Sequence, residues 1–180
     1  MTRTATILWC VLIGAVTGLY AIIWANLPTV SNYMWIAFIA LPLYFTCGAD
    51  PKLLPQHIVC AVCGVLWGVL TLSILGLGLF GGGMADLFIV LLVVVGLCCV
   101  VHMVLLPASV LGGLFSNAPM VFGGYAGIFS QGQGEALGVI ATLIGGLLAG
   151  VLINLGGAFI AKNMNPAAEP AAEPIVEPAE

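Results

Sequence analysis

Long apolar runs recur along this chain, and they constrain its fold more than any single motif does. About 20 consecutive apolar residues in a helix match a hydrocarbon layer roughly 30 Å thick. Six such runs can be drawn, at about Thr4–Trp24, Tyr33–Ala49, Pro55–Leu79, Met84–Leu106, Ser109–Phe129 and Glu135–Ala161. The second is short and the fifth is interrupted by Asn117 and Pro119. Of 180 residues, 62% are hydrophobic and 6% charged, too few charges to cover a soluble core of this size. A β-barrel would alternate apolar and polar residues, and these runs do not. The chain reads as an all-α polytopic membrane protein. Six transmembrane helices fill residues 1–162, in contact with a lipid bilayer. The first run is read as a retained helix rather than a signal peptide. It is too long, it carries Trp9, Tyr20 and Trp24, and no small-residue cleavage site follows.

With six spans, the only basic residues, Arg3, Lys52 and Lys162, fall on one face. The positive-inside rule makes that face cytoplasmic and puts both termini there. Cys10, Cys47, Cys60, Cys63, Cys98 and Cys99 fall in the same half, away from an outer face where oxidation could pair them. Trp24, Tyr33 and Trp35 then fit an outer aromatic belt. Residues 163–180 are rich in Pro, Ala and Glu and read as a disordered cytoplasmic tail. Four of the seven acids lie in that tail, so the net charge of −4 says little about partners, and nucleic acid is not expected.

The halves resemble each other. Pro42-Leu-Tyr-Phe45 aligns with Pro119-Met-Val-Phe122, and Gly64-x-x-x-Gly68 with Gly146-x-x-x-Gly150. Three spans per half is an odd number, so such halves are inverted across the membrane, and broken helices in inverted repeats frame a solute path near the midplane. The expectation is two inverted three-helix repeats, with Pro42 and Asn117–Pro119 near mid-span. Proline inside a helix removes one hydrogen bond and clashes with the carbonyl four residues back, so a helix there kinks or breaks. Asn117, Pro119, Phe122, Gly123 and Tyr125, with Pro42, Tyr44, Phe45 and Asn154, are the candidate pathway residues. Asn117 has a second reading, in which it only satisfies carbonyls freed by Pro119. Gly14, Gly18, Gly64, Gly68, Gly146 and Gly150 form small-residue faces for helix packing, within or between protomers of a homo-oligomer. The fourth run, with Gly96 as its single internal glycine, is expected to expose the most surface to lipid.

His57, Cys60 and Cys63 share one helix face, and Cys98, Cys99 and His102 lie close together in sequence. Thiolates and imidazoles suit Zn²⁺ or Cu⁺. A Cys-x-x-Cys within a continuous helix makes no zinc knuckle, however, and small apolar cysteines are the plainer reading. No metal or other cofactor is expected. No Asp, Glu, Lys or Arg lies in a span interior, Asp86 and Glu135 being near the outer ends, which argues against proton-driven antiport. No nucleophile, base and orienting group come together either, so an enzyme is not expected.

The motifs Leu41-Pro42-Leu-Tyr-Phe45-x-x-Gly48, Gly64-x-x-Trp67-Gly68 and Asn117-Ala-Pro-Met-Val-Phe-Gly123-Gly-Tyr-Ala126 resemble the bacterial inner-membrane proteins grouped as domain of unknown function 1097. The resemblance covers roughly residues 5 to 160. It implies six spans in the bacterial inner membrane and brings no substrate or functional residues. The second half is more distantly similar to the membrane parts of aromatic-acid and fusaric-acid exporters, without their large soluble domains. The sequence therefore points to a small channel or facilitator for a small solute. A non-transporting scaffold or accessory subunit is the alternative.

Overall fold

The computed structural model describes residues 2–164, and the expected tail lies outside them. Among these residues there are helices and turns and no strand. The helices are α1 (Arg3–Ala25), α2 (Met34–Thr46), α3 (Leu54–Gly76), α4 (Gly83–Val100), α5 (Gly112–Phe115), α6 (Ala118–Gln131) and α7 (Ala136–Met164). A π turn, Val101–Leu105, extends α4. Four stretches are long and apolar enough to cross a membrane: Arg3–Ala25, Pro51–Gly76, Gly83–Leu105 and Gln133–Met164. The chain is thus an integral, multi-pass membrane protein. The second and fifth runs do not supply full-length helices. At 13 and 14 residues, α2 and α6 are each about 20 Å long at 1.5 Å per residue.

Local chemistry sets these boundaries. The Thr2 hydroxyl accepts from the Ala5 amide, capping α1. The Asp50 carboxylate accepts from the Lys52 amide, and Pro51 and Pro55 lead into α3. The α3–α4 hairpin turns through Gly81, Gly82 and Gly83, all at positive φ, a conformation glycine adopts at no steric cost.

Contacts fix the direction of each helix. α3 and α6 run parallel: His57 meets Asn117 near their starts and Thr71 meets Tyr125 further along. α2 and α7 are also parallel, with Tyr33 beside Gly138 and Tyr44 beside Gly150. α1 is antiparallel to α7, pairing Trp24 with Thr142 and Trp9 with Gly157. α2 and α6 cross antiparallel, with Leu43 against Gly123 and Ile36 against Gly127. Arg3, Lys52 and Lys162 therefore share one end of the bundle, which we call the basic end. Asp86 and Glu135 share the other.

Glycine decides where backbones touch. A Cβ on Gly64 would run into the Val121 carbonyl, and one on Gly124 into the Ala61 carbonyl. Gly146 lies over Ala37 and Gly150 over the Tyr44 ring, each somewhat less closely. The two aligned glycine pairs thus receive corresponding partners: α3 receives α6, and α7 receives α2. Gly14 and Gly18 are different. Both are exposed with open space beside them, so the expected packing face on α1 has no partner among the described residues.

One further expectation is corrected. The helix most open to lipid is α1, with 6% of its apolar window buried against 22% for the α4 stretch. α4 gains cover because Val90, Val94 and Cys98 form a buried stripe. At the acidic end Tyr33 is buried, and its hydroxyl donates to the Glu135 carboxylate. That hydrogen bond, together with burial and the nearby negative charge, raises the phenol pKa above its ordinary value.

Candidate functional site

The sharpest irregularity inside the bundle is the break between α5 and α6. Past the π turn the chain makes tight turns from Leu106 to Leu111, winds through α5, and leaves helical geometry at Ser116 and Asn117. Pro119 does not kink a continuous helix. It lies in the first turn of α6, where a missing amide hydrogen costs nothing. The break also lies away from mid-span. Asn117 is level with His57, one turn into α3 and close to the basic end. Counting residues along one unbroken helix misplaced it, because the chain spends residues 106–117 on turns before α6 begins.

Asn117 is the N-cap of α6. Its Oδ1 accepts from the Met120 amide at 3.2 Å and from the Cys47 thiol at 3.3 Å. With Oδ1 committed to a backbone N–H, Nδ2 is the atom that lies 3.0 Å from His57 Nδ1. An amide nitrogen only donates, so His57 Nδ1 accepts and the imidazole proton sits on Nε2. His57 is fully buried, and its Nε2 has no partner among the described residues. The Tyr44 ring meets the imidazole edge-to-face at 5.8 Å.

The carbonyls at the end of α5 are held as well. The Cys60 thiol donates to Leu114 O at 3.4 Å. His102 Nδ1 lies 2.8 Å from Phe115 O, and its Nε2 accepts from the Trp67 indole at 3.0 Å. His102 Nδ1 is thus the donor to Phe115 O. The π turn, closed by Leu106 N to Val101 O at 2.9 Å, carries this side chain. A break that would otherwise bury open backbone groups is tied down by side chains from α2, α3 and the π turn.

A second polar knot lies nearby. Ala49, at φ +50°, has a backbone conformation rare for a residue with a Cβ. Its carbonyl accepts from Tyr44 at 3.0 Å and from Asn154 Nδ2 at 2.6 Å. Asn154 thus finds its partner in the α2–α3 turn.

The structure joins Asn117, Tyr44 and Asn154 through His57 and Ala49. The other candidate pathway residues lie apart. Tyr125 donates to Thr71 Oγ1 at 3.0 Å, about 20 Å further along α3 than His57 at 1.5 Å per residue, and stacks on Phe129. Phe45 packs edge-on against Trp9 and Tyr44. Phe122 is half-buried and Gly123 is buried under Leu43, while Pro42 and Pro119 are exposed on the outside of the bundle. Among the described residues, no three His, Cys, Asp or Glu side chains gather as a metal site. His57 and Cys60 attach instead to the α5–α6 break. Cys47 carries a role that no sequence motif marked, and Trp67, part of the Gly64-x-x-Trp67-Gly68 motif, proves to hold His102.

An opening of about 240 Å³ is lined by Cys63, Leu66, Leu70 and Trp67, the residue that holds His102 at the break. Others lie further away. A cavity of about 350 Å³ near the acidic end is lined by Thr29, Val30, Glu135 and Gly138. One of about 200 Å³ between α1 and α7 is lined by Tyr20, Trp24, Gly145 and Leu148. Asn117 and Tyr125 line neither.

No curated protein and no solved structure matches the chain. The family described as Protein of unknown function (DUF1097) matches residues 10–158, a span that takes in every helix contact at the break, and the chain belongs to that family.

Proposed function

We propose that the protein is a facilitator for a small neutral or weakly charged solute in the bacterial inner membrane, with both termini cytoplasmic. The chain makes six passes as two inverted halves, with α2 and α6 as short middle helices. The contact pattern supports the inversion: exchanging the halves maps the α2–α7 pair onto the α6–α3 pair, and α1–α7 onto α4–α3. The observation that carries the transport reading is the Asn117 break. It gathers an amide, two imidazoles and two thiols inside an apolar bundle. Intramembrane polar groups of this kind tend to mark solute paths.

The test is flux of small neutral and weak-acid solutes into proteoliposomes, comparing the native chain with Asn117→Leu. Solute entry above protein-free vesicles, lost in the variant, is expected. Native flux equal to empty vesicles across the panel overturns the reading. One observation favours the alternative of a non-transporting scaffold or accessory subunit that docks on other membrane helices, including copies of itself. Gly14 and Gly18 lie free on the most exposed helix, and such faces suit close helix approach. If Gly14→Leu abolishes recovery of an assembly larger than the monomer from native membranes, the docking reading gains. If assembly is unchanged, it fails.

A further inference from the structure

The hydrogen-bond directions around Asn117 have a consequence for protonation. The Met120 amide and the Cys47 thiol both donate to Oδ1, so the amide is held one way round and presents Nδ2 to His57 Nδ1. That arrangement admits only neutral His57. A second proton would have to occupy Nδ1 and would face the Asn117 NH₂ group, donor against donor. The imidazolium is accommodated if the Asn117 amide turns over and offers Oδ1 to His57. Nδ2 then faces the Met120 N–H, and the side-chain cap of α6 is lost.

We propose that the α5–α6 break is a proton-operated latch: protonation of His57 inverts the Asn117 amide and uncaps α6. The groups around His57 fit this role. Tyr44 and Cys47 come from α2 and are neutral hydrogen-bonding groups. Asp50 and Lys52 are the charged groups on this side, in the turn ahead of α3. Cys60 and Cys63 lie on α3 itself, and Cys98 of α4 lies beyond Cys63. α5 brings no titratable side chain. α6 brings only Tyr125, bonded to Thr71. α7 faces this region with Asn154 and carries Lys162 at its end. The unpartnered Nε2–H stays a donor in both states, so only the Nδ1 side changes. His102 sits on the other side of the break, bonded at both nitrogens. The latch is independent of whether a solute passes.

Hydrogen–deuterium exchange on the full-length protein in lipid nanodiscs tests it. Exchange is followed for residues 112–122, corrected for its intrinsic pH dependence, between about pH 7.5 and pH 4, reaching well below the ordinary histidine value near 6.5 because the ring is fully buried. Native protein is expected to show faster exchange of this segment at the acid end by about fivefold, the size of one lost side-chain cap. Residues 61–70 in α3 should not change. His57→Gln, which cannot take the proton, should be flat. Asn117→Asp should also be flat, because a carboxylate accepts from both Met120 N and protonated His57 without turning over. A flat native profile overturns the proposal. So does an acid step that persists in His57→Gln or Asn117→Asp, or that disappears only in His102→Gln.

Discussion

Gly64→Ala is the most demanding test of the packing. The added Cβ would overlap the Val121 carbonyl and crowd the Tyr125 amide. These are backbone atoms of α6, so no side chain can swing aside, and α3 and α6 must separate along their length. That separation also loosens the reciprocal seat of Gly124 on Ala61. Overpacking of this kind costs about 1–3 kcal/mol. Alanine recovers up to about 1 kcal/mol through its better helix propensity, which leaves a net loss of about 1–2 kcal/mol. In a protein of this size that is a fall in Tm of about 2–8 °C. Gly14→Ala is the matched control. It makes the same propensity gain on a helix where nothing lies within 4 Å of the new Cβ, so its Tm should hold or rise. The assay is thermal unfolding of both variants in one detergent, followed by near-ultraviolet circular dichroism. Equal Tm values for the two would refute the claim that Gly64 is a backbone-to-backbone contact.

Asn154→Leu removes the bond to Ala49 O and leaves that strained turn with Tyr44 alone. The expected loss is about 1–2 kcal/mol, read as a lower midpoint in denaturant. Tyr33→Phe removes the donor to Glu135. The folded phenol pKa is raised, so the stability the native chain holds over this variant is fully present below about pH 10, the unfolded tyrosine value, and is lost as pH rises past it. Comparing the Tm of both proteins from neutral to strongly alkaline pH checks the sign. A gap that widens with pH refutes it.

Much of the architecture is legible in the residues. Apolar run length marks four full-length helices, and Pro42 and Pro119 mark the two short ones. The glycine pairs at 64/68 and 146/150 seat on neighbouring backbone or ring atoms as small-residue faces should. The same pattern at Gly14 and Gly18 seats on nothing, because spacing alone does not say which helix approaches. Asn117 stands out as a polar residue before a proline. Its partners do not. His57 and Cys60 share a helix face, which a sequence reads as a metal set, yet each satisfies a different backbone or amide group across the α5–α6 break. Only the parallel docking of α6 on α3 brings residues 57 and 117 together, and local pattern carries no information about that docking. Proline chemistry left open whether Pro119 kinks a helix or begins one. The turns after Pro107 decided it.

The pairing of α2 with α7 and of α6 with α3 bears on how the chain is made. A ribosome delivers α2 to the bilayer some hundred residues before α7 exists to cover it. Until then the short helix is held only by α1 and the turns beside it. The glycine face of α3 likewise waits for α6. Neither half can close on itself, since each lends its middle helix to the other. Insertion of the helices and completion of the fold are therefore separate events in time, and the second waits for the last helix to leave the ribosome.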